Sequence, residues 1–339
     1  MISIECFNGL PIEHESFLIE RYNSFFTTCR YLELYYTAFD INYMLVYKNS
    51  DLIELLIFGN KGDTSTCFNL LAKIDQDIML ECTKRLLEAY PSVQKIEIVA
   101  SYKNYALKRS FLTSTFDDYI LNLPATMDDY YLGLGRSTRQ TIKNRKVRLL
   151  RDYPDVNFVT KQGTEIEESI IDSIIRLNTE RMIQKGIVPG RNNTDKHNIY
   201  SYSQHYGYVV YLEIDGVMAA GAISYILNKK IYGHLIAHDN NFSRYNLGEI
   251  CAFYLIQSSI EKGLSALHLL WGKSDLKKRL LAKPHLLFSY VIYRSYSLGY
   301  IFNKAKTTVL LIMIRIEQSD FIKPLRNAIK GYRRKNWKG

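Results

Sequence analysis

Between Ile231 and Glu249 the chain reads Ile-Tyr-Gly-His-Leu-Ile-Ala-His-Asp-Asn-Asn-Phe-Ser-Arg-Tyr-Asn-Leu-Gly-Glu, a strand-like run that passes through a polar loop into a helix. Side chains alternate along a strand, which predicts His234 and His238 on one face of the segment 231–238. Histidine is suited to accept a proton near neutral pH, so either one is a candidate general base. Tyr225 and Tyr232 are candidate acids for a leaving group. Asn246 is placed to cap the following helix, with Glu249 at the capping-box position. The first amides of such a helix lack internal partners and carry the positive end of its dipole. Arg244, Tyr245, Asn246, Leu247, Gly248 and Glu249 therefore form a candidate pyrophosphate cradle. Gly248 would let a bulky anion reach the backbone, and Arg244 would add a fixed charge. The ordinary alternative is a capped helix beside two structural histidines.

No GxSxG, HExxH or P-loop pattern accompanies this stretch, and no metal-ligand spacing. Five scattered cysteines, with no CxxC, read as reduced thiols and predict a cytoplasmic protein without metal. No apolar run approaches the roughly 18 residues of a spanning helix. The net charge of +10 is uneven: residues 135–151 and 323–339 hold seven Lys/Arg each and no acid. The remaining 30 basic and 34 acidic residues make the body slightly acidic. The two basic segments suit a polyanion or anionic membrane surface, or are solvated faces. The 27 tyrosines are read chiefly as strand formers packed at the sheet, with a cleft lining as the alternative.

The elements that must position the histidines follow from hydrophobic spacing. Residues 43–46 and 52–58 predict a hairpin, 75–90 a helix ended by Pro91, and 95–100 and 119–123 strands. A connector follows, with Thr126 capping one short helix and Ser137 to Gln140 at capping-box spacing for a second, basic one ending near Pro154. Arg136, Arg139, Lys143 and Lys146 share one face of it. Helix 165–185 comes next, and His197 to His205 reads as a loop over the cleft. A hairpin turns at Asp215-Gly216. Strand 230–238, helix 247–262, strand 266–271 and strands 285–293 and 307–316 complete the order. Both parts read hairpin, helix, strand, helix, strand, an internal duplication that predicts two separate sheets. The predicted units are 1–125, a connector 126–155, 156–320 and a basic tail 321–339.

The order of strand, Arg-x-x-x-Gly loop, helix, Gly263 and strand resembles the acyl-CoA core of the GNAT superfamily. Residues 130–290 are similar to the CelD/BcsL-type acetyltransferase domain of bacterial exopolysaccharide clusters. The resemblance rests on Tyr131-Leu-Gly-Leu-Gly-Arg-Ser-Thr-Arg139, on Asn241 to Gly263, and on Leu267-His-Leu-Leu-Trp-Gly-Lys-Ser-Asp-Leu-Lys277. His268 stands where that family has Asp and Leu276 where it has Tyr, while Gly272 and Lys277 remain. It implies an α/β (α+β) fold of tandem GNAT-like domains with mixed, mostly antiparallel sheets. It further implies acetyl-CoA or another acyl-CoA as co-substrate and direct attack by an acceptor amine. The first half would be a degenerate copy. The acceptor would be a small polar molecule such as an amino sugar, or a glycan, held near His268, Trp271 and Lys277 during polysaccharide biosynthesis. The protein would work in the cytoplasm or at the inner face of the membrane. A related alternative is a Fem-type transferase taking aminoacyl-tRNA, the one case in which nucleic acid is expected. A third is a non-catalytic accessory protein.

Overall fold

The computed structural model describes residues 2–188, 193–272, 274–296, 299–301 and 304–305. The first half runs β1 (Ile2–Asn8), α1 (Glu15–Tyr22), α2 (Cys29–Tyr35), β2 (Asp40–Lys48), β3 (Asp51–Lys61), β4 (Thr64–Cys67), α3 (Gln76–Ala89), β5 (Lys95–Ser101), β6 (Ser110–Asn122). Helices α4 (Met127–Gly133) and α5 (Arg136–Asp152) connect the halves. The second half runs β7 (Asn157–Gln162), α6 (Glu168–Gln184), α7 (Asn193–Tyr206), β8 (Gly207–Ile214), β9 (Val217–Leu227), β10 (Lys230–His238), α8 (Leu247–Glu261), β11 (Ala266–His268), α9 (Asp275–Arg279), β12 (Lys283–Tyr293).

Local chemistry accounts for many of these boundaries. Asn49 and Ser50 join β2 to β3 at φ 52° and 73°, and Asp215 and Gly216 join β8 to β9 at φ 52° and 74°. Two successive positive φ values are what a two-residue type I′ turn requires. Asp75 caps α3 by accepting from the amide of Asp77, and Thr126 caps α4 by accepting from Asp129. Gly135, rather than Ser137, is the residue before the first turn of α5. The stretch expected as a loop over the cleft is α7, and it buries Ile199, Tyr202 and Ser203. Its polar residues misled because only one narrow stripe of the helix is covered. Strand β11 stops at His268, since Leu270 turns to φ 52°. The expected strand 307–316 and the basic tail 321–339 lie outside the described residues.

Among the described residues the strands form one sheet in the order β1-β2-β3-β4-β5-β12-β6-β11-β10-β9-β8-β7. Only β4–β5 and β10–β11 pair in parallel; the other neighbours are antiparallel. Exchanging each strand of the first half with the one six later reverses this order into itself. The fold is thus an internal duplication about a pseudo-two-fold axis between β6 and β12. Two separate sheets were expected, and the continuous ladder corrects that. Strand β12 crosses to pair with β5, and β6 pairs with both β12 and β11. Each half alone would end in an unpaired edge, and the exchange removes both edges.

The core is likewise shared between the halves. Phe25 and Phe26, ahead of α2, pack against Tyr225 and Tyr232 of the second half and Trp271 beyond β11. The Thr28 hydroxyl meets that of Tyr202 at 2.9 Å, and the Asn198 amide donates to the Leu34 carbonyl at 2.7 Å. Tyr130, Tyr202, Tyr225, Tyr232 and Tyr245 are among the largest fully buried side chains, so many tyrosines serve packing. No helix among the described residues is long and apolar enough to cross a membrane.

Candidate active site

Strands β10 and β11 pair only from Lys230↔Ala266 to Tyr232↔His268. Beyond that point they part, and a cavity of about 910 Å³ opens, lined among others by His234, Asn178, Arg181, Trp271, Ser274 and Lys277. Trp271 forms one wall, its ring stacked on Phe26 at 5.4 Å and edge-on to Phe116 at 5.6 Å. Arg181 enters from α6, donating to Asn178 Oδ1 at 3.2 Å, and burial pushes its pKa down.

A β-bulge between Gly233 and Leu235 makes His234 the extra residue of β10. The strand changes phase there, so the expectation that His234 and His238 share a face is overturned. His234 turns toward Tyr225, with ring centroids 5.2 Å apart, and lines the cleft. His238 packs against α8: a Cβ built on Gly248 would lie 2.7 Å from its Nδ1. Burial, then Arg181 and Lys185, lower the pKa of His238, which favours its neutral form. Gly248 is therefore required first by the imidazole against its Cα.

Tyr225 does not line the cleft; it is buried beside Phe25, Tyr202 and His234. The Tyr232 hydroxyl is committed to the carbonyl of Asn23, and burial pushes its pKa far up. Both phenols are better suited to fixing the floor of the cleft than to delivering a proton.

Lys277 was expected to steady an acceptor. Its Nζ donates instead to the carbonyls of Leu269 at 2.8 Å, Leu270 at 3.1 Å and Trp271 at 2.8 Å, which uses all three of its protons. Those carbonyls lie where the chain leaves β11 through Leu270 at φ 52° and Gly272 at φ 97°, and that of Leu270 also accepts from the Tyr119 amide at 3.2 Å. The Gly-and-Lys pair is thus a clamp that sets Trp271. Lys277→Met should cost ~2 kcal/mol in urea unfolding, with a change in the fluorescence of Trp271 as the backbone behind its ring is released.

His268 also differs from its expected role. It is buried, and its Nδ1 donates to Asp118 Oδ2 at 2.7 Å while its ring stacks on Tyr232 at 4.5 Å. It does not line the cleft with His234. Asp118 lies on β6, which only the strand exchange brings beside β11.

At the start of α8 the expected capping box is absent. Asn246 adopts a left-handed conformation at φ 56°, and its amide donates to the Glu249 carboxylate at 2.9 Å. Glu249, 2% exposed, is also paired with Arg145 of α5 and with Arg279 of α9 at 3.3 Å. Tyr245 is buried, its hydroxyl donating to Asp152 at 2.7 Å, while the Arg244 guanidinium covers its ring at 4.6 Å. That hydrogen bond from Tyr245, with help from Arg151, holds the Asp152 carboxyl below its usual range. Leu247 is fully buried. Arg145 and Arg279 were not foreseen as site residues, because a pairing across three helices leaves no local spacing signal.

Residues 136–278 match a family described as acetyltransferase (GNAT) domain. The chain is similar to the crystal structure of FemX, with a TM-score of 0.62 at 11% identity over 85% of this chain and 97% of that one. It is also similar to L-PGS from Bacillus licheniformis, with a TM-score of 0.54 at 12% identity over 91% and 96%. A conserved protein of unknown function from Bacteroides thetaiotaomicron VPI-5482 gives 0.55 at 13% identity over 86% and 99%. The matched segment has a GNAT-like fold. No curated protein matches the chain in sequence. The matched segment carries α5, the cleft strands β10 and β11, α8, and α9 up to the residue before Arg279.

Proposed function

We propose that the second half is an acyl-CoA-dependent N-acyltransferase acting on a small polar amine, an amino sugar being the leading class. The observation that carries this reading is the parting of parallel β10 and β11 beside His234. A thioester laid between the strands would lie along the part of β10 beyond Tyr232, which has no ladder partner on its β11 side. The amine nitrogen attacks the thioester carbon, the N–C bond forms, and the C–S bond breaks to release thiolate. His234 accepts the ammonium proton, and the thiolate takes a proton from solvent at the open mouth.

The pyrophosphate of the acyl-CoA is assigned in this proposal to the start of α8. Arg145 and Arg279 exceed the single charge of Glu249, and Arg279 remains partly exposed. The carbonyl of Asn246 accepts from Glu249 and Ile250, and Leu247 and Gly248 are buried at the helix start, so the exposed part of Arg279 is the proposed contact for the anion. Exposed Arg244 lies beside them. The sequence resemblance to the CelD/BcsL type is the ground for extending the proposal to surface-polysaccharide synthesis. Release of CoA thiol from acetyl-CoA in the presence of glucosamine, galactosamine and their uronic acids tests the assignment. Acceptor-dependent release supports it, and background rates with every amine speak against it.

One observation favours a second reading, a Fem-type transferase using aminoacyl-tRNA. On α5, Arg139 is spent on the carbonyls of Tyr131 and Leu132, Arg145 on Glu249 and Arg151 on Asp152. Arg136, Lys143, Lys146 and Arg148 make no ion pair with described residues, a basic face of the kind that attracts phosphates. The same face is our proposed contact with an anionic membrane or polymer, should the donor be acyl-CoA.

A further inference from the structure

A second polar cavity, of about 480 Å³, lies where the halves exchange strands, apart from the cleft at His234. Each half contributes to its lining: Lys73, Tyr102 and Asn122 from the first, Lys230, His268 and His285 from the second. Behind it, Asp118 is fully buried and accepts at Oδ2 from both the Tyr102 hydroxyl, at 2.6 Å, and His268 Nδ1, at 2.7 Å. The carboxylate thus fixes the imidazole through Nδ1, and the stack on Tyr232 fixes its plane. The nitrogen left for a ligand is Nε2.

The lining is one-sided in its chemistry. Two lysines, two histidines, an amide and a phenol surround the space, and no carboxylate lines it. Neither Lys73 nor Lys230 forms an ion pair with a described residue, although Lys230 is half-buried and burial lowers its pKa. Asp118, one layer down, is the anionic charge that favours the charged form of Lys230. Lys73 and Lys230 both line the space, and an anion rich in acceptor oxygens would supply the counter-charge that its lining lacks.

We propose that this cavity binds a phosphate group, with Lys73 and Lys230 as its counter-charges and His268, oriented by Asp118, as a directed contact. The site is built only by the strand exchange, since residues of both halves form it. It does not depend on the reaction in the cleft.

The test is calorimetric titration of the full chain at low ionic strength with inorganic phosphate, glucose 6-phosphate and glucose. Saturable binding of the first two, with none of glucose, is expected. Tighter binding of glucose 6-phosphate would mark a phosphorylated metabolite as the source, and equal binding the free ion. In Lys73→Gln/Lys230→Gln, which removes two charges from the rim without touching the core, affinity should fall at least about tenfold. Lys48→Gln, exposed on β2, should bind as the wild type does. No saturable binding, or equal affinity in the double variant, overturns the proposal. His268→Asn then reports orientation: it should weaken phosphate while the circular dichroism of the chain is unchanged, and unaltered affinity would remove His268 from the site.

Discussion

His234→Gln should lower kcat by about 10²–10⁴-fold and leave the affinity for acetyl-CoA nearly unchanged. Glutamine keeps much of the shape of the imidazole but accepts no proton at neutral pH. His234 stands at the bulge of β10, on the wall of the 910 Å³ cleft, with its ring held against buried Tyr225. A loss confined to kcat identifies a group acting in the transition state rather than in binding. His238→Gln is the matched control. His238 is seated on Gly248 at the start of α8, so its replacement should act mainly on stability. If His234→Gln turns over like the wild type across pH 6–9, His234 is not the base and the amine must arrive already neutral.

Dividing the chain should have a still larger effect. A fragment of residues 1–125 is expected to show no cooperative thermal transition, and so is a fragment of residues 126–339. In the first, β6 loses both β11 and β12; in the second, β11 and β12 lose β6. The aromatic cluster of Phe25, Phe26, Tyr202, Tyr225 and Tyr232 is also cut in two. Exposed strand edges and apolar rings make such fragments prone to association. Co-expression of the two should restore a soluble complex with one melting transition. A cooperative transition in either fragment alone would show that the exchanged strands are not essential to the fold.

Much of the fold was legible because it is local. Hairpin turns at Asn49-Ser50 and Asp215-Gly216, the cap at Thr126 and the apolar stripe of α6 all lie within a few residues of the structure they make. The crossing of β12 into the first half is a contact between residues about 190 apart, and no periodicity carries it. The same distinction holds in the site. The cleft strands and the α8 segment were found from sequence, but one extra residue at His234 reversed the phase of everything after it. Lys277 was expected to meet the acceptor because its backbone partners depend on the turn at Leu270, which no residue type announces. Asp118 and His268 lie 150 positions apart, so their pairing was beyond reach of any motif.

The central claim is that an acyl-CoA binds the second half with its pyrophosphate at the start of α8. Calorimetric titration of acetyl-CoA into the full chain, beside Arg244→Glu/Arg279→Glu, tests it most directly. The account predicts one site per chain in the wild type and at least about tenfold weaker binding in the double variant, since charge-assisted contacts to phosphate are replaced by repulsion. Absence of saturable binding to the wild type, or equal affinity in the two proteins, would contradict it.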